Sequence, residues 1–135
     1  MMEDVLVEQC GQIGVWAYGT GAVGRCTNVE VRQCGMSGIV VSKGASITLI
    51  GAKTTVHHNC TKGRSDHYGL KVYSSSSTFQ LVFPLTKEQV SINNGGGGNW
   101  GATLGWNINR IRTIDAPAVS SSSSSAQTGE TKSIH

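Results

Sequence analysis

Three groups of residues in this chain have the types and spacing to do chemistry. The first is the segment "CTKGRSDHYGLKV" (60–72), which gathers Lys62, Arg64, Asp66, His67 and Tyr68 within a few positions. A basic side chain placed beside a sugar carboxylate is what proton abstraction from a uronate requires, and carboxylates would be needed to hold calcium. Asp66 is the one acid in the segment; the nearest others, Glu8 and Glu30, read as one repeat apart in equivalent places. The second group is Trp16, Tyr18, Lys71 and Tyr73, aromatics with a cation interleaved, which suit stacking on sugar rings or on bases. The third is the four cysteines, Cys10, Cys26, Cys34 and Cys60, with His57 and His58. A zinc site would need Cys60 with one of those histidines and a further ligand such as Cys34 or His67. No Cys-x-x-Cys pair exists, so no metal is assigned and the thiols are expected to be reduced and buried.

Each group also has a plain structural explanation. A loop bulging from a scaffold is normally solvated, exposed strand positions favour aromatics anyway, and cysteine packs as a small hydrophobe. A fourth candidate, "NNGGGGNWGA" (93–102), resembles a phosphate cradle only superficially. It lacks the Lys-Ser/Thr of a nucleotide loop and no helix follows, so no nucleotide cofactor is expected. Its four glycines are expected to end the regular structure, with Leu104, Trp106 and Ile108 alternating in a capping strand.

The elements that position these groups follow from an internal repeat. "VEQCGQIGVWAYGTGAVG" (7–24) is echoed by "VRQCGMSGIVVSKGASIT" (31–48) at an offset of 24, aligning Val7 with Val31, Cys10 with Cys34 and Gly14 with Gly38. A third copy aligns Asn59 with Gln9 and Gln33, and Cys60 with Cys10 and Cys34. In that copy Gly69 arrives late, so "KGRSD" reads as a five-residue insertion. A weaker fourth copy places Asn93 and Asn94 in the two positions. After each glycine the pattern has period two: Val15/Ala17, Ile39/Val41 and Leu70/Val72 share one face. Three short strands per 24 residues, separated by Gly, Ser and Asn, suit one turn of a coil whose equivalent strands stack in parallel about 4.8 Å apart. The Gln/Asn positions then form an amide ladder at a corner, and helix formers have no place.

Residues 5–104 resemble right-handed parallel β-helix repeats of the pectate-lyase-like kind, similar to those of algae, algal viruses and some F-box proteins. "VRQCGMSGIVVSKGASITLIGAKTTVHHN" (31–59) carries the resemblance most fully. The resemblance implies an all-β, right-handed parallel β-helix of about four rungs over residues 1–115. It implies little about activity, because such coils serve lyases, epimerases, adhesins and binding scaffolds alike. The catalytic pattern of the lyases does not map onto residues present here.

Composition narrows the rest. Only 14% of the 135 residues are charged and the net charge is +3, part of it in a polar tail, so nucleic acid is not the expected partner. No apolar run approaches the length of a membrane span, and no secretory signal is visible. Reduced cysteines favour an intracellular setting, although the compartment is not assigned. The stretch "APAVSSSSSSAQTGETKSIH" (116–135) reads as a disordered tail. The expected function is therefore a non-catalytic binding or interaction scaffold for carbohydrate or another protein, with Trp16, Tyr18, Lys71, Tyr73, Arg64, Asp66 and His67 as candidate contacts. The alternative is part of a lyase or epimerase acting on an acidic glycan. The first rung has nothing ahead of Val5 to cover it, which points to end-to-end self-association or a longer parent chain.

Overall fold

The computed structural model describes residues 2–73, 76–102 and 110–115. Its strands are short, and none of those described pairs with its chain neighbour as a hairpin. β1 (Met2–Glu3) precedes the first rung, which holds β2 (Leu6–Glu8), β3 (Val15–Tyr18) and β4 (Val23–Thr27); β1 pairs with β4. The second holds β5 (Glu30–Arg32), β6 (Ile39–Ser42) and β7 (Ser46–Ile50). The third holds β8 (Thr55–His57), β9 (Tyr68–Val72) and β10 (Thr78–Val82). The fourth holds β11 (Ser91–Ile92), β12 (Gly98–Ala102) and β13 (Ile111–Ile114).

Strands pair with their counterparts in the next rung, never with their chain neighbours. Three sheets result, ordered β1-β4-β7-β10-β13, β2-β5-β8-β11 and β3-β6-β9-β12. Every pairing is parallel. The chain is a parallel β-helix, and the 24-residue echo is its register: Val7 pairs with Val31 and Val15 with Ile39.

Alternation in the sequence decides which side chains fill the coil. Val15, Ile39 and Leu70 form one inward column, and Ala17, Val41 and Val72 the next, all essentially inaccessible to solvent. Ile47, Leu49, Phe79 and Leu81 line the opposite wall. Burying each such side chain stabilises by about 1.5–3 kcal/mol, which is how three-residue strands with few other contacts persist.

The corners explain the amides and glycines. Gln9, Gln33, His58 and Asn93 all have φ between 52° and 57°, one left-handed residue closing the same corner in each rung. Gly38 sits where two rungs approach closely: a Cβ there would lie 2.8 Å from the Gly69 carbonyl oxygen. The peptide carbonyls of successive rungs leave that position no side-chain room.

The third rung differs from its expected register. Arg32 pairs with His57, so His58 follows Gln33 and Asn59, not Cys60, stands over Cys34. The corner at Gly51–Lys53 is longer than the one at Asn28, which shifts everything after it. Asn59 to Gly69 is ten steps where Cys34 to Gly38 is four, so the insertion is six residues, not five. The amide ladder accordingly lies inside the corner: Asn59 Oδ1 accepts from Cys34 N at 3.0 Å, its Nδ2 donates to Val31 O at 2.9 Å, and Asn94 repeats both contacts one rung on. Glu8 and Glu30 are not equivalent either; Glu8 pairs with Arg32 and Glu30 with Leu6.

Two further expectations are corrected. The glycines at 95–98 do not end the coil, because β12 continues the stack on β9 with Gly98 opposite Tyr68 and Ala102 opposite Val72. A short helix, α1 (Lys87–Val90), replaces a glycine corner between β10 and β11, with Thr86 Oγ1 accepting from Gln89 N and Val90 fully buried. The proposed capping positions Leu104, Trp106 and Ile108, and the expected tail from 116 to 135, lie outside the described residues.

Candidate functional site

The outward face of the β3-β6-β9-β12 sheet carries the site. Trp16 pairs with Val40 and Val40 with Lys71, so these three form one outward column across successive strands. Trp16 is fixed in place, because its indole Nε1 donates to Ser42 Oγ at 2.9 Å and its ring meets Tyr18 edge-on with centroids 5.5 Å apart. At the other end Lys71 Nζ lies 5.0 Å from the centre of the Tyr73 ring.

This face is covered, and the insertion covers it. The insertion leaves the coil after Asn59 and folds back over the outward side. Its start is tied to the second rung through Cys60 N to Met36 O at 2.9 Å and Lys62 N to Gly35 O at 3.0 Å. Its end is tied to both neighbouring rungs: Tyr68 N donates to Ser37 Oγ at 3.0 Å, and Gly97 N to His67 O at 2.7 Å. Between these clamps, Lys62, Arg64 and Asp66 stay exposed while His67 turns inward. A cavity of about 480 Å³ remains between insertion and sheet. Its floor is Trp16, Val40 and Lys71; its walls include Ile13 and Met36 on one side and Lys62, Arg64, Asp66 and His67 on the other.

Two groups at the covered end have their pKa values lowered. Burial lowers the pKa of the Lys71 ammonium, Arg64 works in the same sense, and Asp66 and the Cys60 thiol partly oppose them. Burial likewise lowers His67, Asp66 pulls it up, and Lys71, Arg64 and Lys62 push it down. His67 is therefore held neutral. Its side chain is 6% exposed, its Nε2 lies 3.9 Å from Asp66 Oδ1, and its buried Nδ1 makes no hydrogen bond. Asp66 itself leans on Arg64, whose Nε is 3.5 Å from Oδ1.

The structure thus joins two candidate groups that the sequence kept apart. Trp16, Lys71 and Tyr73 from the sheet and Arg64, Asp66 and His67 from the insertion line one cavity. Tyr18 does not line it; 48% exposed, it braces Trp16 from outside. Lys71 was expected to be exposed and is 8% exposed, because the insertion lies over it. Ile13, Met36 and Ser37 were not anticipated. They occupy the corner that the insertion enlarges, and the repeat offset alone would have placed them beside it.

A second polar cluster lies on the outward face of the β2-β5-β8-β11 sheet. Arg32 bridges Glu8 at 3.1 Å and Glu30 at 3.3 Å, and His57 Nε2 meets Glu30 at 2.6 Å. His57 Nδ1 and His58 Nδ1 are 2.6 Å apart, so one carries a proton shared with the other. This chain of charges links neighbouring rungs. Among the described residues, no group of three or more His, Cys, Asp or Glu side chains is arranged to hold a metal ion. No described helix is long and apolar enough to cross a membrane.

Fold and site together define a parallel β-helix with one outward face roofed by an enlarged corner. Comparison with protein-family models, with curated proteins and with solved structures returned no match.

Proposed function

We propose that the protein is a binding module, non-catalytic, whose roofed cavity takes carbohydrate. One observation carries this reading. Trp16, held rigid by Ser42, presents an aromatic platform on the floor of a cavity that also offers the polar and cationic side chains of the insertion. Sugar rings stack their apolar faces on aromatics while their hydroxyls take hydrogen bonds from side chains around the rim. Isothermal titration against a panel of oligosaccharides tests the proposal. Binding should appear for at least one of them and weaken markedly in Trp16→Ala, while circular dichroism stays unchanged.

A second reading, an enzyme of the lyase or epimerase type on an acidic glycan, is favoured by one feature: neutral His67 stands with Lys71 and Tyr73 in the same cavity, where a proton acceptor would be needed. Against it, Asp66 is the one carboxylate among the described lining residues. An assay for unsaturated products, run with and without calcium, separates the two. We also infer that the coil is of the pectate-lyase-like kind, on its stacked asparagines and left-handed corners. Partner binding at the first rung belongs to the same reading. Val7 and Cys10 are only half-buried where Val31 and Cys34 beside them are fully buried, which suits a further coil stacking there. Sedimentation against concentration tests for a second copy.

A further inference from the structure

The cavity is not uniform along the coil axis, and its asymmetry describes a ligand. At the first-rung end lie Trp16 and Ile13. At the third-rung end lie Lys71, Arg64, Lys62 and His67. Between them stands Val40, 3% exposed. Because Trp16, Val40 and Lys71 occupy one column, the two ends are separated by two strand spacings, about 10 Å.

The cationic end is short of negative charge. Three cations line it against Asp66 alone, and Asp66 is engaged with Arg64. The Lys71 ammonium, 8% exposed on the cavity floor, lies 5.0 Å from the centre of the Tyr73 ring, which leaves its hydrogen-bond donors for a ligand oxygen. Burial keeps water from competing there, so a charge-assisted contact is worth more than at the surface.

We propose that the Lys71–His67 end of the cavity is an oxyanion subsite, and that the ligand carries a carboxylate, sulfate or phosphate group there, about 10 Å from a ring stacked on Trp16. This deepens the carbohydrate reading and rests on it for the ring, though not for the anion. Two sugar units span that distance, and a cavity of about 480 Å³ has room for them. The ligand is then a disaccharide, or the end of a longer glycan, with its acidic unit over Lys71 and its other unit over Trp16.

The test uses the full chain and five probes: a neutral disaccharide, its uronic-acid counterpart, its sulfated counterpart, inorganic sulfate and inorganic phosphate. Calorimetry should show one or both acidic disaccharides binding about tenfold or more tighter than the neutral one. Lys71→Met keeps the volume and removes the charge; it should erase that preference, and Arg64→Gln should reduce it partly. Trp16→Leu should weaken all three sugars alike. Whether the uronate or the sulfated sugar binds tighter identifies the oxyanion. Equal affinity for neutral and acidic sugars, in the wild type, overturns the subsite while the carbohydrate reading stands. If no sugar binds, that reading falls. The subsite is then judged by the inorganic anions: thermal protection of the wild type but not of Lys71→Met upholds it, and protection of neither or both removes it.

Discussion

The indole nitrogen of Trp16 donates to the hydroxyl of Ser42, 2.9 Å away and one strand over. Ser42 is completely buried although it lies on the outward side of its strand. The bond therefore does two things: it satisfies a polar group that water cannot reach, and it fixes the plane of an aromatic ring that faces the cavity. A platform already in position loses little entropy when a ligand settles on it.

Ser42→Ala separates those effects. One hydrogen bond is lost, so the stability cost should be about 1 kcal/mol by urea denaturation. The ring becomes free to turn against Tyr18. Affinity for any saccharide that binds the wild type should fall severalfold, with tryptophan anisotropy decreasing in the free protein. Unchanged anisotropy would show that Tyr18 alone holds the ring.

Gly38→Ala tests one close approach between rungs. The added methyl would meet the Gly69 carbonyl oxygen at 2.8 Å and the Asn59 amide nitrogen at 2.9 Å. Neither is a flexible side-chain end, since Asn59 is tied to two rungs. The rungs must spread, and the loss should be about 1–3 kcal/mol in the denaturation midpoint analysis. Gly11→Ala, with open space around the corresponding atom, is the control and should cost little.

The cysteines should divide by reactivity. Burial pushes Cys26 up to about 11, Cys34 up to about 12 and Cys60 up to about 11, so none presents a thiolate at pH 8. Cys10 is half-buried at the open first rung. A thiol reagent added to the native protein should label Cys10 first, and the other three only at the rate of unfolding. Peptide mapping after timed quenching reads this directly.

Acid should destabilise the fold through two groups of different kind. The Glu30 carboxyl is held below 4.5, chiefly by the hydrogen bond from His57, with Arg32 adding to it. A carboxylate lowered on folding contributes stability that is complete above its unfolded value and is lost as pH drops through the folded one. His67 is lowered from 6.5 by burial, so the unfolded chain takes up its proton first and stability begins to decline below pH 6.5. Melting temperature against pH should show both steps. Glu30→Gln should remove the one below pH 4.5, and His67→Phe the one beginning near pH 6.5.

Much of the fold could be read from the chain because a stacked coil writes its register into its sequence. Val15, Ile39 and Leu70 must be apolar together, and Gly14, Gly38 and Gly69 must lack side chains together. What resisted reading was the third rung. Its Asn59-Cys60 pair imitates the Gln-Cys pairs at 9–10 and 33–34 by residue type, whereas the register is set by Val56 against Val31 through a longer corner. The candidate site was half legible for a related reason. Alternation placed Trp16 and Lys71 outward, but nothing local says that a six-residue insertion folds back over that face instead of projecting into solvent. That outcome depends on hydrogen bonds to Met36, Ser37 and Gly35, residues remote in sequence.

The register itself makes the last prediction. If Asn59 stands over Cys34, its amide spans three rungs: it accepts from Cys34 N, donates to Val31 O at 2.9 Å, and meets Asn94 Oδ1 at 3.1 Å. Asn59→Cys would make the column uniform with Cys10 and Cys34, and by sequence similarity it looks harmless. It would instead strand a buried amide and a buried carbonyl of the second rung. Each such group costs about 1–3 kcal/mol, and the losses share one network, so the total should be about 3–5 kcal/mol. Cys60→Ala removes a thiol whose side chain serves no such ladder, and should cost less. Equal or reversed penalties, measured by urea denaturation of both variants, would return Cys60 to the column and undo the alignment of the third rung.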